Sequence, residues 1–439
     1  MRAAHSSTAG QADAARPAVV GSPAAHPSVV RHGQQKTRSP IANLLRLLGI
    51  AVAVVAISAV SIAAIAVWGL ASEAKPGIHL SHLPGTSTAN RANVGAIEGD
   101  VNMLLTGTDT RTGQGGAFST KDELAGSSGL GNNDVTMLIH IAADHQSVTV
   151  ISFPRDLMVP IPRCPRAGGG FHPAQSQAML NSTLARGDLP CVVLTIEKLT
   201  GITIPFAAKI TLDGVTAMSD AVGGVDVCVA TPINDTYVIP PIHLAAGEHT
   251  LVGADALSFL RTRHGLVGGS DLARISNQQL FMSALARKVT SAGVLGNPLA
   301  LYPLADAAVK NVTMSDTLTN PTTLVEIALA LKNVGLSNMV FVQYPSVTDP
   351  ANPNRVVPQT SAAAALLSAL AANKPVQLSG KVGGGTVLVP TTPTAPPTVP
   401  ATGAPTSTAT PSAQDAVVLP STITGQTAAD QTCSKGQGR

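Results

Sequence analysis

Five short polar groups stand out of a chain that is otherwise poor in charge. The first is Gly107-Thr108-Asp109-Thr110-Arg111, at the end of an apolar run, and the second is Asn132-Asn133-Asp134, just before another. The third is Phe153-Pro154-Arg155-Asp156, an adjacent cation and carboxylate where a strand-like run stops. Arg261-Thr262-Arg263 is the fourth; the fifth is Asp271, Arg274 and Gln278, with Ser270 as N-cap of their helix. Singly, each has a plain alternative: a turn cap at Asp134, a surface ion pair at Arg155-Asp156, a self-satisfied Asp271–Arg274 pair. Together they describe one chemistry. Arg111, Arg155, Arg261, Arg263 and Arg274 could cage phosphate oxygens with bidentate forks. Asp109, Asp134 and Asp271 could hold a hard divalent ion, which commonly binds through one or two carboxylates plus phosphate. Arginines plus such an ion are the equipment of phosphoryl transfer, where catalysis is mostly positioning and charge neutralisation. A Walker loop, a Ser-His-Asp set, paired glycosidase carboxylates and a His-rich zinc motif are all missing from the sequence.

The elements that must position these groups follow from periodicity. On a wheel of 100° per residue, Asp271, Arg274 and Gln278 share a stripe with Ile275, Met282, Leu285 and Val289. A solvated face would place Arg274 opposite the apolar stripe, so this arginine points inward and needs an anion. Runs 101–109, 135–142 and 147–153 read as strands, as do KITLDG, VDVCVA and MVFVQYP; 191–201, GVTAMSDAVGG, 253–262 and 270–292 read as helices. Interleaved strands and helices predict an α/β (α+β) body, layered α-β-α around a central mixed sheet.

The surrounding chain sets an address. Leu47–Ala71 carries no charge in a 439-residue sequence that is 12% charged and 3% aromatic. That length spans a bilayer core of about 30 Å as a helix, with Trp68 near its outer end. Residues 1–71 hold six Lys/Arg against one Asp, all before the span, which predicts a cytoplasmic N-terminus. The remainder has 22 basic against 24 acidic residues, which excludes a general nucleic-acid binder. Expected boundaries are a disordered basic arm at 1–46, a transmembrane helix at 47–71 and an extracellular stalk at 72–96. A body at 97–345 follows, extended at 346–381. A Pro/Thr-rich linker at 382–414 precedes a segment 415–439 that is either a docked patch or a tail. Outside the membrane cysteines oxidise by default. Cys164 and Cys191 flank one loop-rich stretch and are the favoured pair, worth roughly 3–4 kcal/mol by loop closure, with free thiols as the alternative. Cys228–Cys433 is a weaker candidate.

Eight motifs in order carry a resemblance: MLLTGTDTR, NNDVTMLIHI, VISFPRDLMVPIP, AMLNSTLARG, TIEKLTGI, VGGVDVCV, GADALSFLRTRHG and GSDLARISNQQ. The chain resembles the LytR-CpsA-Psr family of bacterial cell-envelope proteins, in its actinobacterial form. The resemblance implies a membrane-anchored phosphotransferase, working with magnesium. It would move a glycopolymer from a polyprenyl-pyrophosphate carrier onto peptidoglycan, the lipid lying in an apolar tunnel. By that resemblance Asp109 and Asp134 are metal-associated, and Arg155, Arg261, Arg263 and Arg274 hold the pyrophosphate with Gln278 beside them. Asp271 is a further acidic or orienting group. Two departures stand out: Asn277 where the family commonly has a second Arg, and Asn132-Asn133 where it has a basic residue. They could weaken the pyrophosphate grip, shift substrate choice or mark a paralogue of low activity. Asn277 leans toward a non-catalytic scaffold that binds polyprenyl pyrophosphate or peptidoglycan; a lipid-pyrophosphate phosphatase is a separate alternative.

Overall fold

Alternating side chains on β1 (Val101–Thr108) explain why it lies at the middle of a layered sheet. Leu104 packs into one apolar cluster, while Met103 and Leu105 pack into another on the opposite face, as the two-residue repeat of a strand requires. The computed structural model describes residues 40–73, 75–84, 97–112, 129–166, 168–291, 298–332, 334–389 and 416–438. Most of the expected arm, much of the stalk, residues 390–414 of the expected linker and residue 415 lie outside them.

The chain divides into two units, 1–65 and 66–439. Helix α1 (Pro40–Glu73) contains the uncharged run 47–71, where several side chains lie outside the description. Among the described residues, no helix is long and apolar enough to cross a membrane.

The central sheet has seven strands. Besides β1 they are β2 (Asn133–Ile141), β3 (Val148–Ser152), β4 (Phe206–Ile210), β7 (Val312–Met314), β8 (Met339–Gln343) and β10 (Gly425–Thr427), in the order β7-β4-β1-β2-β3-β8-β10. β1 and β3 run parallel to β4 and β8 respectively, and the remaining pairs are antiparallel, so the sheet is mixed as expected. One face is covered by α2 (Ser182–Thr200), through Leu184, Val193 and Ile196, and by α7 (Thr360–Ala371), through Leu366 and Leu370. The other meets α6 (Pro321–Leu331) through Ile327, and α5 (Asp271–Ser291) through Met282 and Ala286.

Beyond α5 lies a second sheet of four strands. These are β5 (Val225–Thr231), β6 (Gly247–Leu251), β9 (Thr386–Leu388) and β11 (Thr432–Lys435), ordered β6-β5-β11-β9. With α4 (Gly253–Arg261), it buries Val227, Leu251 and Phe259 against Leu280 and Phe281 of α5. The strand read at 209–214 ends at Ile210. Thr211 accepts from Gly214 N as an N-cap, so Leu212 and Asp213 open the next helix, α3 (Leu212–Ala221).

Two expected boundaries are corrected, and one open alternative is decided. Residues 75–84 are no free stalk: Ile78 N donates to Met314 O and Leu80 is buried. The buried Glu197 accepts from Leu83 N and pairs with His82 Nδ1. The linker expected at 382–414 is strand at 386–388, antiparallel to β11. Residues 416–438 are a docked part of the body: β10 extends the central sheet, and β11 lies parallel to β5 with Cys433 opposite Cys228. Cys164–Cys191 and Cys228–Cys433 are both bridged, with Cα–Cα distances of 5.0 and 4.4 Å. The first pairing is the favoured one; the second is the weaker candidate.

This late segment braces α5 from behind. Gln426 Nε2 donates to Ser283 Oγ at 2.7 Å, and Arg287 Nη1 donates to the carbonyls of Ala428 and Asp430 at 2.9 and 3.0 Å. Ser434 Oγ donates to Asn277 Oδ1 at 2.5 Å. Gly383 approaches Ser276 so closely that no Cβ fits between them.

Candidate functional site

Strand ends and two helix segments bring the polar groups together. Asp109 follows β1, and its Oδ1 accepts from Asn132 N at 2.6 Å. Between them Gly131 has φ +69°, and a Cβ there would lie 2.6 Å from Thr110 N, so glycine shapes this turn. Asp134 sits in β2, Arg155 past the end of β3, and Asp271 and Arg274 in the first turn of α5.

These four form a lattice. Arg155 Nη1 donates to Asp134 Oδ1 at 2.9 Å. Arg155 Nε lies 3.4 Å from Asp271 Oδ1, while its backbone N–H donates to Asp271 Oδ2 at 3.2 Å. Arg274 Nη2 lies 2.6 Å from Asp271 Oδ1 and donates to the backbone O of Asp134 at 2.8 Å; its Nη1 is 3.8 Å from Asp134 Oδ2. Arg274 and Asp271 are buried. The contacts of Asp271 Oδ1 are ion pairs without hydrogen-bond alignment, and the buried Nε–H groups of Arg155 and Arg274 have no acceptor among the described residues.

The electrostatics follow from this crowding. Burial by itself would raise the Asp134 pKa, but Arg274, the charge and hydrogen bond of Arg155, and Arg261 hold it below the ordinary carboxylate value. Burial pulls Arg155 down, yet Asp134, Asp271 and Asp156 hold it above its usual value. Arg261 is lowered by burial, with Arg111 and Arg274 adding to the effect against Asp134 and Asp109.

A cavity of about 350 Å³ opens from this cluster. Thr108, Asp109, Asp134, Arg261, Arg274 and Gln278 line its polar end; Leu105, Met137, Ile210, Val215, Met218, Leu257, Leu260, Phe281, Met282, Leu285 and Val289 line the rest. Of the stripe expected on α5, Arg274, Gln278, Met282, Leu285 and Val289 line the cavity, whereas Ile275 is buried away from it. Arg155 and Asp271 do not line the cavity but fix Asp134 and Arg274. Arg111 does not line it either, and acts on Arg261 through charge. Arg263, expected on the pyrophosphate, is off the cavity, its Nη2 3.1 Å from His264 Nε2.

Neither departure leaves a gap. The fully buried Asn277 donates from Nδ2 to Phe259 O at 2.8 Å and accepts from Ser434, so it joins α4, α5 and β11 where a guanidinium would collide with the late strand. Asn132 holds Asp109, and Asn133 Oδ1 accepts from Leu184 N at the start of α2.

For a divalent ion, the donor set fits one shared with a ligand. Among the described residues no group of three or more His, Cys, Asp or Glu could cage a metal. Asp109 and Asp134, both hard oxygen donors, line the same mouth, the number magnesium commonly takes from protein beside phosphate oxygens. The two carboxylates lining it, Asp109 and Asp134, equal in number the two guanidiniums there, Arg261 and Arg274.

Fold and site define an α/β protein with a cavity that is charged at one end and apolar along the rest. The LytR_cpsA_psr family profile matches residues 79–371, and the chain belongs to that family. It is 31% identical over 269 residues to the cell wall biosynthesis protein LcpA of Corynebacterium glutamicum, covering 57% of this chain and 51% of LcpA. To the probable cell wall biosynthesis protein LcpB of the same organism it is 30% identical, covering 69% and 66%. The chain thus spans about half to two thirds of the length of these curated relatives. The polyisoprenyl-teichoic acid–peptidoglycan teichoic acid transferase TagU of Bacillus cereus is 28% identical over 48% of this chain and 60% of its own. Among solved structures, a LytR-Csp2A-Psr enzyme from Actinomyces oris aligns with a TM-score of 0.48 at 20% identity, over 67% of this chain and 96% of that one.

Proposed function

We propose that this chain is a membrane-anchored phosphotransferase of cell wall assembly, moving a glycopolymer from a polyprenyl-pyrophosphate carrier onto peptidoglycan. Residues 47–71 would be its single span, with the N-terminus cytoplasmic and the catalytic body extracellular. The observation that carries the reading is the two-ended cavity: a charged lattice at the mouth and an almost wholly apolar sleeve behind it. The names of its relatives LcpA and TagU, which speak of cell wall biosynthesis and of transfer to peptidoglycan, support it.

In this reading the polyprenyl chain fills the sleeve and the pyrophosphate lies against Arg274, Arg261 and Gln278. The acceptor hydroxyl oxygen bonds to the phosphorus that carries the glycan. The bridging P–O bond breaks, polyprenyl monophosphate leaves, and the hydroxyl proton is lost to solvent or a neighbouring base. Asp134, held ionised by its arginines, serves as fixed charge rather than as that base. Arg155 and Asp271 keep Asp134 and Arg274 from turning away, so that positive charge is in place before it develops on the leaving oxygen. Asp109 and Asp134 would hold magnesium, which when bound neutralises phosphate charge.

The test is incubation of the full-length chain, in detergent, with a polyprenyl-pyrophosphate saccharide, magnesium and peptidoglycan oligomers. Products are identified by mass spectrometry. Expected is a saccharide-phosphate joined to peptidoglycan, reduced at least about 100-fold in Arg155→Ala and Arg274→Ala and lost with chelator. Wild-type rates in both variants would overturn the proposal; a free phosphosaccharide as sole product would make the protein a phosphatase.

A further inference from the structure

The hairpin Ile233–Asp235/Ile242–Leu244 presents its tip beside the cavity mouth. Ile239 in that tip packs against Leu212 and Leu257, both on the cavity wall, and its carbonyl accepts from Arg261 Nη1 at 3.1 Å. Two residues earlier Tyr237 is 78% exposed, the most exposed large apolar or aromatic side chain among the described residues. Its ring lies against His264, with centroids 4.5 Å apart and planes tilted by 42°, and Arg263 borders that imidazole.

What holds this pair is the buried carboxylate of Asp235. Its Oδ1 accepts from Tyr237 N at 2.9 Å; its Oδ2 accepts from Thr262 Oγ1 at 2.6 Å and from the N–H groups of Arg263 and Gly265, each at 3.1 Å. One side chain thus locks the hairpin tip to the loop carrying Arg263 and His264. Burial works against its ionised form, but these hydrogen bonds outweigh it and lower its pKa. The locked object buries almost none of its own aromatic surface. A rigid aromatic face edged by an imidazole and a guanidinium suits a ligand with an apolar face and polar rim, and its rigidity reduces the ordering cost of binding. A pyranose ring has that form: axial C–H bonds on a face, hydroxyl and amide groups around the edge.

We propose that Tyr237 and His264, with Arg263, form a saccharide-binding subsite at the cavity mouth. It takes the sugar that emerges beside the pyrophosphate, and it rests on reading the cavity as a lipid-pyrophosphate site. Arg263, which does not reach the cavity, here reads the next group along the same substrate.

Full-length protein in detergent is titrated with farnesyl pyrophosphate and with farnesyl-pyrophosphoryl N-acetylglucosamine. Wild type binds the saccharide form about tenfold more tightly, the effect of one aromatic anchor. Tyr237→Ala and His264→Ala erase that difference and leave farnesyl pyrophosphate binding unchanged. Tyr237→Phe keeps the difference, whereas Arg274→Ala weakens both ligands. A second arm follows the free N-acetylglucosaminyl-N-acetylmuramic acid disaccharide by saturation-transfer NMR. Suppose wild type transfers saturation to the disaccharide, Tyr237→Ala does not, and the two farnesyl ligands bind alike. The subsite would then belong to the acceptor glycan, and the donor assignment would be overturned. Wild-type binding of both saccharides by Tyr237→Ala and His264→Ala overturns the subsite altogether. If wild type binds neither farnesyl compound, the cavity reading fails, and the disaccharide arm alone decides whether the platform binds sugar.

Discussion

The mouth of the cavity and its sleeve are built on opposite rules. At the mouth each group has a named partner: Asp134 faces two arginines, and Arg274 reaches both Asp271 and the Asp134 backbone. In the sleeve sixteen aliphatic and sulfur-bearing side chains share one task, and only Phe281 among the lining residues is aromatic. Fixed charges gain from exact partners because a displaced one is left buried and unpaired. An apolar wall gains from area, which many side chains supply interchangeably. The mouth should therefore be fragile and the sleeve tolerant.

Asp271→Ala tests the fragile side most severely. Removing it takes from Arg274 its nearest carboxylate and from Arg155 Nε its nearest partner, and we expect a stability loss of about 3–5 kcal/mol, read from the urea midpoint of the detergent-solubilised chain. A change below 1 kcal/mol would show that the lattice is solvated and the contrast false. The sleeve is probed by Val215→Trp. It should move that midpoint by less than about 1 kcal/mol, because a half-buried wall residue turns into empty space. It should nevertheless weaken binding of a long polyprenyl pyrophosphate more than that of inorganic pyrophosphate. Equal weakening of the two would mean the sleeve does not hold the chain.

The smallest effect concerns pH. Because the folded pKa of Asp134 is depressed, its contribution to stability is complete above the unfolded value of about 3.9 and is lost as pH falls through the folded value. Stability should show no Asp134 limb between pH 8 and 5. In Arg155→Gln the acid limb should be smaller and should level off at higher pH, because the folded value moves up toward the unfolded one. An unmoved limb would remove Arg155 as a source of the depression.

Periodicity makes the mouth and sleeve legible along α5: Arg274, Gln278, Met282, Leu285 and Val289 are expected on one stripe and line one cavity. Motif residues Asp109, Asp134 and Arg261 also reach it. What a linear pattern cannot separate is lining from support. Arg155 and Asp271 sit in motifs as clear as that of Arg274, yet stand behind it, because the difference lies in rotamers and packing. Arg263 shares a tripeptide with Arg261, but α4 ends at Arg261, and the chain turns away over Asp235. Asn277 looks like a missing cation because Ser434, its partner, lies 157 residues along the chain. The segment bearing that serine has strands of three and four residues, too short for a period to register, and follows a Thr/Pro-rich run that reads as linker.

That late segment also sets the order in which the site can be completed. The strands around Asp109, Asp134 and Arg155, and then α5 itself, emerge long before Gln426, Arg287's carbonyl partners and Ser434 exist to support the helix. Until they dock, one flank of α5 has no cover and the edge of β8 no neighbour. A chain in synthesis would therefore carry every residue of its charged mouth while lacking the support behind it. Competence would arrive as a single late event rather than growing with length.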